Sequence, residues 1–98
     1  MSYEIIFEPD AMDHLRALSA RERVTVLDMV EEQLTFEPGL ETRHRKRLRL
    51  NPLAPWELRI GALRAFYDIY TDMSEVRIVA VGRKRGNKLF IADQEFLL

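Results

Sequence analysis

Apolar and polar positions alternate most regularly between Trp56 and Tyr70. Leu58 and Ile60 alternate with Glu57 and Arg59. After Gly61-Ala62, the residues Leu63, Ala65, Tyr67 and Ile69 alternate with Arg64, Phe66 and Asp68. This period of two, rich in aromatic and branched side chains, predicts two half-buried antiparallel strands joined by a tight turn. The same period makes residues 3–8 a strand with Tyr3, Ile5 and Phe7 on one face, ended by Pro9. Asp10 is the expected N-cap of a short helix over 11–18, with Asp13 in its first turn. Ser19 and Glu22 have the spacing of a capping box, so a second helix is expected to start at Ala20. Its core stripe is Val24, Leu27, Val30 and Leu34, widened by Val26 and Met29, and Pro38-Gly39 closes it.

Downstream, Asn51-Pro52-Leu53-Ala54-Pro55 cannot be interior helix or central strand. After the hairpin, residues 71–74 read as a turn and 75–82 as a strand of strong β character. Gly86-Asn87 suits another tight turn, and 89–92 a last short strand. Consecutive strands of this kind pair most simply as an antiparallel meander. The expected fold is α+β, a single domain over 1–98: an N-terminal strand, an αα-hairpin, then a curved antiparallel sheet of about three to four strands.

Composition sharpens this picture. The chain is 47 % hydrophobic and 32 % charged, the balance of a soluble globular domain. No apolar run approaches the roughly 18 residues of a membrane span, and no secretory leader opens the sequence, so the cytoplasm is the expected location. The absence of cysteine excludes disulfides, thiol catalysis and cysteine-ligated zinc. The net charge of −1 hides a split: residues 1–42 carry three basic against ten acidic side chains, and residues 43–98 twelve basic against six acidic. One acidic and one basic face follow, the basic one able to attract a polyanion or an acidic partner.

Candidate chemistry concentrates in the basic half. Arg59 and Arg64 stand on opposite arms of the hairpin, pointing away from its apolar set. They make either a two-guanidinium anion site, with phosphate the first anion to consider, or a pair of solvated strand arginines. Arg43, Arg45, Lys46, Arg47 and Arg49 form a cationic run, readable as a solvated loop or as a wrap for nucleic-acid backbone. Arg83, Lys84 and Arg85 form a second. Histidine is the side chain suited to proton exchange near neutrality, but His44 sits in the basic loop, and His14 reads as structural or surface. Tyr67 reads as core. Two histidines without acidic neighbours at ligand spacing make no metal site, and no cofactor is expected.

The order of elements, with "ELRIGALRAFYDIY" and "VRIVAVGRKRGNKLFIA", resembles the RelE/ParE superfamily of type II toxins from Tyr3 to about Ala92. The hairpin motif is carried by Arg59, Gly61, Arg64 and Tyr67, and the post-strand motif by Gly82, Arg83, Lys84, Arg85 and Leu89-Phe90. The resemblance implies a toxin neutralised by a cognate antitoxin, reaching operator DNA only through that complex. It implies either a RelE-like endoribonuclease cutting mRNA on the ribosome, a ParE-like inhibitor of DNA gyrase, or an inactive homologue that only binds its antitoxin. For cleavage, attack of a ribose 2′-hydroxyl on phosphate needs a proton acceptor, cations for the phosphorane and an acid for the leaving oxygen, and no metal. The resemblance assigns catalysis to Arg59, Arg64, Lys84 and Lys46, and RNA binding to Arg43, Arg45, Arg47, Arg83, Arg85 and Phe90. Phe90 fills the family's late tyrosine position, where it can stack on a base but cannot exchange a proton.

Overall fold

The computed structural model describes residues 1–98. Its elements run β1 (Glu4–Phe7), α1 (Pro9–Arg16), α2 (Ala20–Leu34), β2 (Arg45–Arg47), β3 (Trp56–Ile60), β4 (Leu63–Tyr70), β5 (Glu75–Arg85), β6 (Lys88–Ile91) and β7 (Gln94–Phe96). A 3₁₀ turn over Thr71–Met73 joins β4 to β5. All seven strands share one sheet in the order β2-β3-β4-β5-β6-β7, with β1 added parallel to the first part of β5. The α+β architecture is as expected, but the sheet is larger than the three to four strands anticipated. The additional strands β2 and β7 have three residues each, too few for a period of two to register.

The helices start for local reasons. β1 ends before Pro9 as expected, but Asp10 is not the cap: Pro9 is the first residue of α1, with Glu8 as the extended residue before it. Proline's fixed φ and missing N–H suit that position. In α2 the capping box forms as expected: the Glu22 N–H donates to the Ser19 hydroxyl (3.1 Å), and the Ser19 N–H to the Glu22 carboxylate (3.3 Å). The buried stripe is Val26, Val30 and Leu34, whereas Val24 and Leu27, expected inside, are 56 % and 40 % exposed. The apolar surplus on α2 made two stripes possible, and the approach of the sheet selects the one repeating every fourth residue.

The main core lies between the helices and one sheet face, where Ala11, Leu15, Val26, Val30 and Leu34 meet Trp56, Leu58, Ala65, Tyr67, Val76 and Ile78. A smaller cluster of Ala54, Phe66, Ala80 and Leu89 covers part of the opposite face. It explains why β4 buries Ala65, Phe66 and Tyr67 in succession rather than alternately. The β4–β5 register shifts between Phe66, opposite Ala80, and Tyr67, opposite Ile78, so Val79 is the extra residue of a bulge. Such a bulge bends the strand and increases its twist.

Along its other side β5 has two successive partners, β1 at Glu75–Ile78 and β6 at Arg83–Arg85. Between them the Val81 N–H would be orphaned, and it donates instead to Nδ1 of His14 on α1 (3.2 Å). His14 is therefore structural. Replacing it with leucine leaves that donor unpartnered, and urea unfolding is expected to show a loss of about 1–2 kcal/mol with an unchanged m-value.

Candidate anion-binding face

The hairpin of β3 and β4 turns through Gly61 and Ala62, with Ile60 opposite Leu63. Gly61 takes φ +58°, a left-handed conformation that glycine adopts without strain. The turn sets Arg59 directly across from Arg64 and Glu57 across from Phe66. Directly opposed residues of an antiparallel pair project from the same face, and like charges so placed repel. The counter-ion is Glu57, whose side chain is only 9 % exposed. One carboxylate oxygen lies 3.3 Å from Nε of Arg59 and the other 3.9 Å from Nε of Arg64.

Arg64 is held more tightly than Arg59. Its Nη1 donates to the Gly61 and Leu63 carbonyls at 2.6 and 2.8 Å. Its Nε is buried without a hydrogen-bond partner. Burial pushes the Arg64 guanidinium below the ordinary arginine range; Glu57 opposes this and Arg59 adds to it. It stays charged regardless, so burial leaves a fixed cation poor in solvating partners. The Nη2 of Arg64 and both terminal nitrogens of Arg59 have no protein acceptor and are free to meet an anion.

The neighbouring strands add to this face. Lys46 on β2 lies opposite Glu57, so Lys46, Glu57, Phe66 and Ala80 form one row across four strands. Arg59, Arg64 and Gly82 form the next, and Lys84 lies two residues beyond Gly82 on the same face. Gly82 is set by space rather than by φ, since an added Cβ would lie 2.7 Å from the Phe90 carbonyl oxygen. The four residues expected to be catalytic, Lys46, Arg59, Arg64 and Lys84, thus share the face that the helices leave uncovered.

The residues expected to bind RNA do not join them. Arg45 is buried, and its Nη1 donates to the Gln33, Phe36 and Glu37 carbonyls at 3.0, 3.3 and 2.8 Å, closing the C-terminal end of α2. Arg47 lies over the Trp56 ring at 5.6 Å. Arg83 donates to Glu22 of α2 (2.8 Å), a bond that holds the Glu22 carboxyl below its usual range. Phe90 lies opposite Arg83 with the Arg85 guanidinium over its ring at 5.3 Å. These five side chains point to the helix side of the sheet, while Arg43 is exposed in the loop before β2. His44 contributes backbone, its carbonyl accepting from the Arg59 N–H (2.7 Å). Tyr67 is core as expected: its hydroxyl donates to the Pro38 carbonyl (2.9 Å), and burial pushes its pKa far above the ordinary tyrosine range.

Glu57 is the member of the face that sequence reasoning passed over. It was an ordinary polar position of an alternating strand. The signal available was its place two residues before one arginine and, through the turn, diagonal to the other.

No family model and no curated protein matches the chain. Solved structures do. The chain is similar to one in the toxin–antitoxin complex RelBE2 from Mycobacterium tuberculosis, at 26 % identity and a TM-score of 0.75, covering 86 % of this chain and 93 % of that one. It also matches a chain of the archaeal RelE–RelB complex from Pyrococcus horikoshii OT3 (19 % identity, TM-score 0.63, 88 % and 98 % covered). A third match is in the intact RelBE toxin–antitoxin complex of E. coli (19 %, 0.53, 86 % and 99 %). The latter two speak for the fold alone. Superposition on the first over 86 % of this chain, together with the hairpin and post-strand motifs in their expected places, supports the assignment of this chain to the RelE/ParE superfamily.

Proposed function

We propose that the chain is the toxin of a type II toxin–antitoxin pair and acts as an endoribonuclease on mRNA at the ribosome. The observation that carries this reading is the opposed Arg59–Arg64 pair, with free guanidinium nitrogens, on a face that also bears Lys46 and Lys84. A scissile phosphate seated between the arginines meets both terminal nitrogens of Arg59 and Nη2 of Arg64, and the lysines add charge where the phosphorane develops. The similar chains occur in complexes with antitoxins of the RelB type, so a cognate antitoxin is the first partner. Operator DNA is reached only through that complex. No helix is long and apolar enough to cross a membrane, and a cytoplasmic site of action follows from the substrate. The reaction needs no cofactor, because 2′-hydroxyl attack runs on proton transfer and charge stabilisation.

Growth arrest on induced expression, with new mRNA 5′ ends inside translated reading frames, is the expected result. Arg64→Ala is expected to lose both. Arrest with intact mRNA would favour the second reading, a non-enzymatic inhibitor of gyrase. One observation speaks for that reading: three of the five tyrosines and histidines are held by other contacts, and His44, whose carbonyl accepts from the Arg59 N–H, is the histidine beside the arginine pair. Tyr67 is bonded to Pro38, Tyr70 lies beneath Arg77 at 3.9 Å, and His14 is held by Val81.

A further inference from the structure

The Arg59–Arg64 face carries a carboxylate that touches both arginines. We infer that Glu57 takes the 2′-hydroxyl proton, an assignment that rests on the ribonuclease reading above. A carboxylate buried in a strand is costly unless its partners are close, and those of Glu57 are only loosely engaged, at 3.3 and 3.9 Å. A valine or threonine would serve β3 better if packing alone mattered. Asp68, the next acid along β4, is turned back onto the Ile69 N–H (2.7 Å) and is not comparable.

The carboxylate and an incoming phosphate compete for the same two guanidinium groups. Phosphate carries more acceptor oxygens, and as it seats between Arg59 and Arg64 it displaces Glu57 from them. A carboxylate beside an anionic phosphate and screened from water is driven to accept a proton. The ribose joined to that phosphate is then the nearest source. As the 2′-oxygen bonds to phosphorus, its proton passes to a Glu57 oxygen. The bond from phosphorus to the 5′-oxygen breaks, and that oxygen takes a proton from the Lys84 ammonium or from water. The products are a 2′,3′-cyclic phosphate and a 5′-hydroxyl end. Lys46 stands opposite Glu57 on the neighbouring strand.

Two measurements on the same purified chain decide the matter: cleavage of one defined mRNA in a translation extract, and affinity for a 2′-O-methyl RNA of the cleaved sequence. Glu57→Gln is expected to lower cleavage by about 100-fold or more, while the uncleavable RNA binds as well or better because a negative charge has gone. Cleavage within about threefold of the unchanged chain would overturn the assignment, the general-base contribution being absent. Loss of binding together with cleavage would also overturn it, making Glu57 a positioning residue for the arginines. Glu57→Asp keeps the charge and guards against misfolding of the glutamine variant: undiminished cleavage by it counts against the assignment, and about a tenfold loss at equal affinity supports it. If the unchanged chain cleaves nothing, the ribonuclease reading itself fails before any variant is compared.

Discussion

Arg59→Ala combined with Arg64→Ala is expected to lower stability by about 2–3 kcal/mol as well as to abolish growth arrest. From the sequence alone, the pair looked separable from the fold. The structure ties them together, because the double variant strands the Glu57 carboxylate, 9 % exposed, with neither guanidinium beside it. Removing the partners of a buried charge commonly costs about 3–5 kcal/mol, and the lower figure allows for Lys46 in the same row offsetting part of the loss. Adding Glu57→Gln to the double variant is therefore expected to recover most of the stability and none of the toxicity. Thermal unfolding of the three proteins, with growth curves alongside, checks both halves. A triple variant as unstable as the double one would show that the arginines pack the sheet through their alkyl stems instead.

Arg45→Met is expected to be the most destabilising single change away from that face, at about 3 kcal/mol, lowering Tm by roughly 10–20 °C for a chain of this size. One guanidinium nitrogen serves three carbonyls at the exit of α2, and no other side chain reaches them. The methionine fills the space but donates nothing, so the Gln33 and Phe36 carbonyls must find water or the last turn must unwind, while the Glu37 carbonyl keeps the Leu40 N–H. The segment they hold also carries the Pro38 carbonyl that accepts from Tyr67, and loosening it reaches the centre of the core. Arg45→Lys is expected to recover less than half, since a lysine's point charge cannot reproduce the planar guanidinium. Differential scanning calorimetry of the two variants tests this, and a loss below about 1 kcal/mol for methionine would mean that the carbonyls are solvated without help.

How much of this was legible in the sequence varied with the range of the determining contact. The hairpin, the capping box and Tyr67 in the core follow from alternation and spacing within a few residues, and the chain shows them. Arg45 was not legible. It sits among four other cations between residues 43 and 49, and nothing local says that one of them turns inward to a helix end some ten residues upstream. Glu57 was invisible for the opposite reason: an acid on a strand between apolar residues is unremarkable until the turn brings Arg64 opposite Arg59. Strand β1 read correctly as a strand, but its partner depends on which side of β5 stays free, a property of the whole sheet. The apolar surplus on α2 likewise left its buried stripe to be chosen by the sheet's approach. The resemblance grouped ten residues into one site; strand parity divides them between two faces, because adjacent residues such as Arg83 and Lys84 project oppositely.

The parallel pairing of β1 has a consequence for the order in which the molecule is born. Glu4 is made 71 residues before its partner Glu75. Until then β1 and its apolar side chains have no strand to join, and the loop to be closed is nearly as long as the domain. The arginine hairpin, whose contacts are local, is complete well before β5 arrives to support it. Half-made chains thus carry the hairpin arginines without the strand that supports them from the other side of β4.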